Sequence, residues 1–130
     1  MTPVLWLGLG CRAGTAVGPL FETVRSFLAA HGLAPAALTG LASLDRRTAE
    51  PGLIALAAEL ALPLHGFSAA RLEQETPRLA TPSARVFALT GCHGVAEAAA
   101  LAAAGPNAGL RVPRVRAGDI TLALAESPPS

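Results

Sequence analysis

The stretch VLWLGLGCRAGT, Val4 to Thr15, passes from an apolar run into glycines, then a cysteine, an arginine and a hydroxyl residue. Val4 to Leu9, bounded by Pro3 and Gly10, reads as a short buried strand. Beyond Thr15 the period changes. Val17, Leu20, Phe21, Val24, Phe27 and Leu28 share one stripe of a helix, and Gly32 ends it by tolerating a left-handed backbone. Strand, glycine turn and amphipathic helix make the first half of a β-α-β unit.

The same alternation continues. ALTGLASL (37–44) reads as a second strand, DRRT (45–48) as a polar turn, and Leu53, Leu56, Ala57 and Leu60 as the apolar face of a second helix that stops before Pro63. PLHGF is a very short third strand, and Ser68 is an N-cap for a short helix through Glu73, with Pro77 marking its end. ETPRLATPS is expected to be the most mobile loop. ARVFALTG (84–91) reads as a fourth strand, followed by an alanine-rich helix from Val95 to Ala104 closed by Gly105-Pro106. The tail predicts an antiparallel hairpin around Ala117-Gly118-Asp119, and Pro113 places its first strand at an edge. The whole predicts a three-layer α/β/α sandwich, with a mostly parallel sheet and an antiparallel C-terminal hairpin, in a single domain spanning 1–130.

Composition narrows the function classes. At 52% hydrophobic and 15% charged residues the chain belongs with globular proteins rather than disordered ones. A net charge of +1 gives no field suited to nucleic acid or an anionic membrane, so neither is expected as a partner. The N-terminus lacks a basic leader region, and its apolar run is far short of the roughly 18 residues of a membrane span. A cytoplasmic protein is expected. All ten basic residues are arginine. A coding bias toward Ala, Gly, Pro and Arg accounts for that, while guanidinium forks also suit carboxylates and phosphates.

In open α/β sheets ligands bind beyond the carboxyl ends of the strands. That rule selects four turns: Gly10 to Thr15, Ser43 to Thr48, Gly66 to Ser68 and Gly91 to Val95. Gly8-x-Gly10-x-x-Ala13 matches a dinucleotide fingerprint in form, but the acid that should follow about 20 residues on is Asp45, 35 residues after Gly10 and followed by Arg46 and Arg47. An anion nest is the nearer reading: Gly14 and Thr15 open the helix with outward-facing amides, and Arg12 supplies a bidentate charge. Cys11 lies near a helix N-terminus, where a thiol pKa can fall, and Cys92-His93 is placed at the fourth strand tip, which leaves open a Cys/His pair with Cys11. The plainer reading is two small cysteines in glycine turns, and no metal or cofactor is expected. His65 reads as structural and His31 as the last turn of the first helix. In ASLDRRTAEPGL, Ser43, Asp45 and Glu50 bracket Arg46 and Arg47, either as capping with a solvated ion pair or as a polar wall that orients a polycarboxylate. Glu97 sits in a first helical turn, where the dipole favours an acid.

Four segments, GLGCRAGT, GLASLDRRTAEPGL, FSAARL and GVAEAAALAAAG, occur in this order over nearly the whole chain. Together they resemble the CobE family, which is similar to the C-terminal domain of CbiG, a cobalamin-biosynthesis protein. The chain departs from the family pattern at Ala13, where a second arginine is common, and at Arg47, where lysine is typical. The resemblance implies a role in making the corrin ring. For CbiG proteins that role is opening the ring-A lactone of a cobalt-precorrin with loss of a two-carbon fragment, on the anaerobic route. CobE belongs with the aerobic route.

A precorrin carries many acetate and propionate carboxylates, which suits a rim of glycine amides and arginines. The ligand-binding candidates are therefore Gly10, Cys11, Arg12, Gly14 and Thr15 from the first turn, with Ser43, Asp45, Arg46 and Arg47 from the second. Ser68 joins from the third turn, and Gly91, His93 and Gly94 from the fourth. Three readings compete: a protein that binds or delivers a precorrin intermediate; a lactone hydrolase with Asp45 or Glu50 as general base and Arg12 stabilising an oxyanion; and a scaffold for a pathway methyltransferase.

Overall fold

The computed structural model describes residues 3–128. Strand β1 (Val4–Gly10) lies at the centre of a five-stranded sheet, flanked on one side by β2 (Gly40–Leu44) and then β3 (Leu64–Phe67). On its other side runs β5 (Ile120–Ser127), with β4 (Gly109–Ala117) at the edge that Pro113 requires. The β1–β2 and β2–β3 pairs are parallel, and β5 is antiparallel to both β1 and β4. Four strands thus point one way and only β5 runs against them.

Alternation along β1 divides the core. Leu5, Leu7 and Leu9 face α1 (Val17–Ala30) and α3 (Pro51–Leu60), where they pack with Leu20, Val24, Leu28, Leu53 and Leu56. The other face carries Trp6 and Gly8. It packs against α4 (Ala69–Glu73), whose cap is Ser68, and α6 (Ala96–Ala104), through Leu72, Ala98 and Ala99. Two helical layers around one sheet give the α/β/α sandwich. Alanines on α6 let its backbone approach closely, and Gly8 is what they approach: a Cβ there would overlap the Ala96 carbonyl. The glycines of GLG therefore belong to the strand and its helix packing, not to a phosphate-binding turn.

Three expectations need correction. The second strand begins at Gly40, because Pro35–Ala37 forms a 3-10 turn. DRRT is a single helical turn, α2 (Asp45–Thr48), closed by the Thr48 hydroxyl donating to the Asp45 carbonyl at 2.7 Å. ARVFALTG is not a strand but a helix, α5 (Ala84–Thr90), which Ser83 caps by accepting from the Val86 amide. Gly91, at φ +87°, ends it. The place beside β1 that a fourth parallel strand would take is filled by β5. In the ETPRLATPS loop Arg78 pairs with Glu75, and the Ala80 and Thr81 amides donate to Glu97.

Candidate functional site

A cleft of about 360 Å³ opens at the carboxyl ends of β1, β2 and β4 and the start of β5. From the β1 end it takes Gly10, Cys11 and Arg12, from α2 Arg47, and from the link into α6 Gly94 and Val95. The remaining walls come from α5 with its flanks and from the hairpin. Five of the ten arginines line it: Arg12, Arg47, Arg85, Arg114 and Arg116.

These guanidinium groups differ in how they are held. Arg47 donates through Nε to the Cys11 carbonyl at 2.9 Å, which fixes α2 against the first turn. Arg116 donates to the Gly118 carbonyl at 3.0 Å inside its own hairpin turn. Arg12 meets Asp119 at 3.4 Å, but both side chains are exposed, so the pair is readily exchanged for another anion. Among the described residues, no acceptor is paired with the guanidinium of Arg85 or Arg114. The Thr81 hydroxyl, also at the cleft, is buried with no partner among the described residues.

Glu97 organises this end of the molecule. It is 2% exposed, and its carboxylate accepts from the Ala80 and Thr81 amides through Oε1 and from the Arg114 amide through Oε2 at 2.9 Å. One side chain of α6 thus binds the segment leading to α5 and the strand that carries Arg114 and Arg116. The helix dipole explains only part of this residue's placement.

The structure brings Gly10, Cys11, Arg12, Arg47 and Gly94 to the cleft and gives the other candidates different work. Gly14, at φ +81°, donates its amide to Glu50 Oε2 at 3.0 Å, and the Thr15 amide turns back to the Arg12 carbonyl. The expected outward-facing amides are therefore occupied by an internal carboxylate and a turn. Buried Ser43 donates to the Leu9 carbonyl at 2.6 Å and joins β2 to β1. Asp45 accepts from the Arg46 amide, with Arg46 itself exposed, and Ser68 accepts from the Arg71 amide. Gly91 ends a helix rather than a strand. Neither Asp45 nor Glu50 lines the cleft.

His93 sits behind α5. Its Nδ1 is 2.8 Å from Glu73 Oε2, and its ring stacks on Phe87 at 4.4 Å between centroids. The His93 hydrogen bond, helped by Thr76, holds the Glu73 carboxyl below the usual carboxylate range. Cys92-His93 does not approach Cys11: Cys92 is buried with Trp6 and Leu72, and Cys11 packs with the opposite core. Burial also pushes the Cys11 thiol above its ordinary value, outweighing the pull of Arg47, which reverses the expected lowering. His31 caps the end of α1, and exposed His65 packs at 4.7 Å from the Trp6 ring. Among the described residues, no three His, Cys, Asp or Glu side chains converge on a metal-sized space.

Sequence reasoning missed Arg85, Arg114 and Arg116. A usable signal was present for two of them, since Arg114 and Arg116, two apart on a strand, share a face.

Residues 5–125 match the family model described as the cobalamin synthesis G C-terminus. The chain is similar to the protein CobE of Sinorhizobium, 47% identical over 93% of this chain and 79% of that protein. A crystal structure of CobE, a protein from the cobalamin biosynthetic pathway, superposes with a TM-score of 0.89 at 39% identity, covering 97% of this chain and 92% of that one. The cobalamin biosynthesis protein chiG of Agrobacterium tumefaciens superposes at 0.75 with 35% identity, covering 97% of this chain and all of that one. A more distant relative is the cobalt-precorrin-5A hydrolase of Priestia megaterium, 26% identical over 96% of this chain but only 33% of that protein. The chain belongs to the cobalamin synthesis G C-terminus family, as a CobE-like protein of cobalamin biosynthesis.

Proposed function

We propose that this domain binds a precorrin-type tetrapyrrole through its ring carboxylates at the arginine-lined cleft, and delivers it rather than transforms it. The observation that carries this reading is the gathering of five guanidinium groups around one opening, two of them without a partner among the described residues. Bidentate guanidinium–carboxylate contacts are strong and directional, and several set around a rim suit a ring with acids on its periphery. The cleft is open, so the macrocycle need not be swallowed whole.

The disposition of acids favours binding over general-base chemistry. Of the carboxylates at the cleft, Glu97 is spent on three amides and Asp119 is paired with Arg12. Glu50, a candidate base, is engaged by Gly14. The same cleft also serves delivery to another enzyme of the pathway, because its hairpin and α5 walls are exposed.

The test compares the parent protein with the combined Arg85→Gln, Arg114→Gln, Arg116→Gln variant, using an enzymatically prepared precorrin. All three positions are exposed, so the fold should persist. At roughly 0.5–1 kcal/mol per partly solvated ion pair, affinity should fall about thirtyfold. A control carrying Arg25→Gln and Arg111→Gln, both outside the cleft, should bind like the parent. Equal losses in the two variants, or no loss in the first, would overturn the assignment.

A further inference from the structure

Helix α5 is anomalous for its composition. It carries Val86, Phe87 and Leu89 within seven residues, yet none of its residues is buried, and Leu89 is 70% exposed. A helix of this length does not persist in water on propensity alone and normally depends on burying an apolar face. Here it is held at its ends: the Ser83 cap, the Ser83 amide donating to the His93 carbonyl at 2.8 Å, and the Gly91 terminus. Phe87 is accounted for by its stack on His93. Val86 and Leu89, three apart and so on one face, are not accounted for by any core cluster; both line the cleft.

Those two side chains complete a particular chemical pattern. Arg85 stands next to Val86, while Arg114 and Arg116 border the same opening from β4, so an apolar patch is framed by cations. Such a surface complements a flat, apolar ring with carboxylates at its edge, and it suits a small linear polycarboxylate less well. We propose that Val86 and Leu89 form a platform for the face of the macrocycle, making α5 the element that selects a ring over other polyanions. This inference rests on reading the cleft as the tetrapyrrole site.

The test uses two stable probes: uroporphyrin III, a planar ring with eight carboxylates, and butane-1,2,3,4-tetracarboxylate, which has acids but no ring face. Leu89→Gln keeps side-chain length and helix propensity while removing apolar surface, and the exposure of the site leaves folding unaffected. We expect uroporphyrin to bind roughly tenfold more weakly to Leu89→Gln. The tetracarboxylate should compete for the cleft equally in both proteins, and Leu89→Met should bind uroporphyrin like the parent. Unchanged uroporphyrin affinity in Leu89→Gln, alongside a loss in the cleft-arginine variant, would overturn the platform and leave the cleft reading intact. Failure of the parent to bind uroporphyrin at all would overturn both.

Discussion

Substituting Gly8 by alanine adds one methyl group where the α6 backbone crosses β1. That methyl would overlap the Ala96 carbonyl oxygen, lie 2.8 Å from its carbon and 3.0 Å from the Ala100 nitrogen, where ordinary contact begins at 3.4 Å. Backbone atoms cannot rotate aside, so α6 must lift as a unit by on the order of 1 Å. A gap of that size forfeits a quarter to a half of each dispersion contact it opens. The helix buries Ala98, Ala99, Ala100 and Leu101 against the sheet, so the loss is spread along it. We expect at least ~3 kcal/mol of destabilisation, a large part of the roughly 5–15 kcal/mol that holds a domain together. Trp6, the single tryptophan, lies on the same face of β1 and packs with Ala98 and Ala99, so it reports the displacement directly. Urea unfolding followed by Trp6 emission should show a lower midpoint and, before unfolding, a red-shifted native spectrum. A variant within about 1 kcal/mol of the parent, with unshifted emission, would refute the packing role assigned to this glycine.

Other consequences follow from the same geometry. Gly14→Ala meets no atom within 4 Å, so its cost should be only the ~1–2 kcal/mol of a left-handed backbone at φ +81°, measured by the same unfolding curve. Glu97→Ala strands three amides and should cost about 3 kcal/mol, with Glu97→Gln intermediate; hydrogen exchange should rise first at Ala80, Thr81 and Arg114. Burial pushes the Glu75 carboxyl up, but Arg71 and Arg78 outweigh it and hold it below the ordinary 4.5. The folded state therefore binds that proton more weakly than the unfolded chain. The stabilisation is present above 4.5 and lost as pH falls through the depressed value, so the gap between the parent and Glu75→Gln should close on acidification. Cys11 should alkylate more slowly at pH 7.5 than a free thiol and Arg47→Gln should slow it further, which mass spectrometry of iodoacetamide-treated protein would read; acceleration by that substitution would contradict the electrostatics.

The order of elements was largely readable because the apolar periods are clean. The stripe from Val17 to Leu28 and the alternate residues Leu5, Leu7 and Leu9 of the first strand face the same core cluster from two sides, and Pro113 does stand on an edge strand. ARVFALT was not readable from its apolar pattern, since seven residues of mixed Ala, Val, Phe and Leu fit either period. The deciding cues are its ends, a serine three residues before Val86, whose amide it accepts, and a glycine that ends the helix. Burial could not help, because this helix has none. The site was half legible for a related reason. Cys11, Arg12 and Arg47 sit at the tips of consecutive strand–helix units, where the rim rule points. Arg114 and Arg116 reach the cleft only because the hairpin returns beside β1, a pairing between residues more than a hundred positions apart. The sequence singles out Gly14 as a ligand-facing amide and Glu50 as a candidate general base; that they satisfy each other follows only from tertiary contact.

The most direct test of the account is a visible-absorbance titration of the pure protein with precorrin intermediates, followed by mass analysis of the recovered ligand. The expected result is a saturable spectral shift with at least one intermediate, weakened in the cleft-arginine variant, and a ligand of unchanged mass. A changed mass would contradict delivery without transformation, and the lack of a saturable shift with any intermediate would contradict the cleft itself.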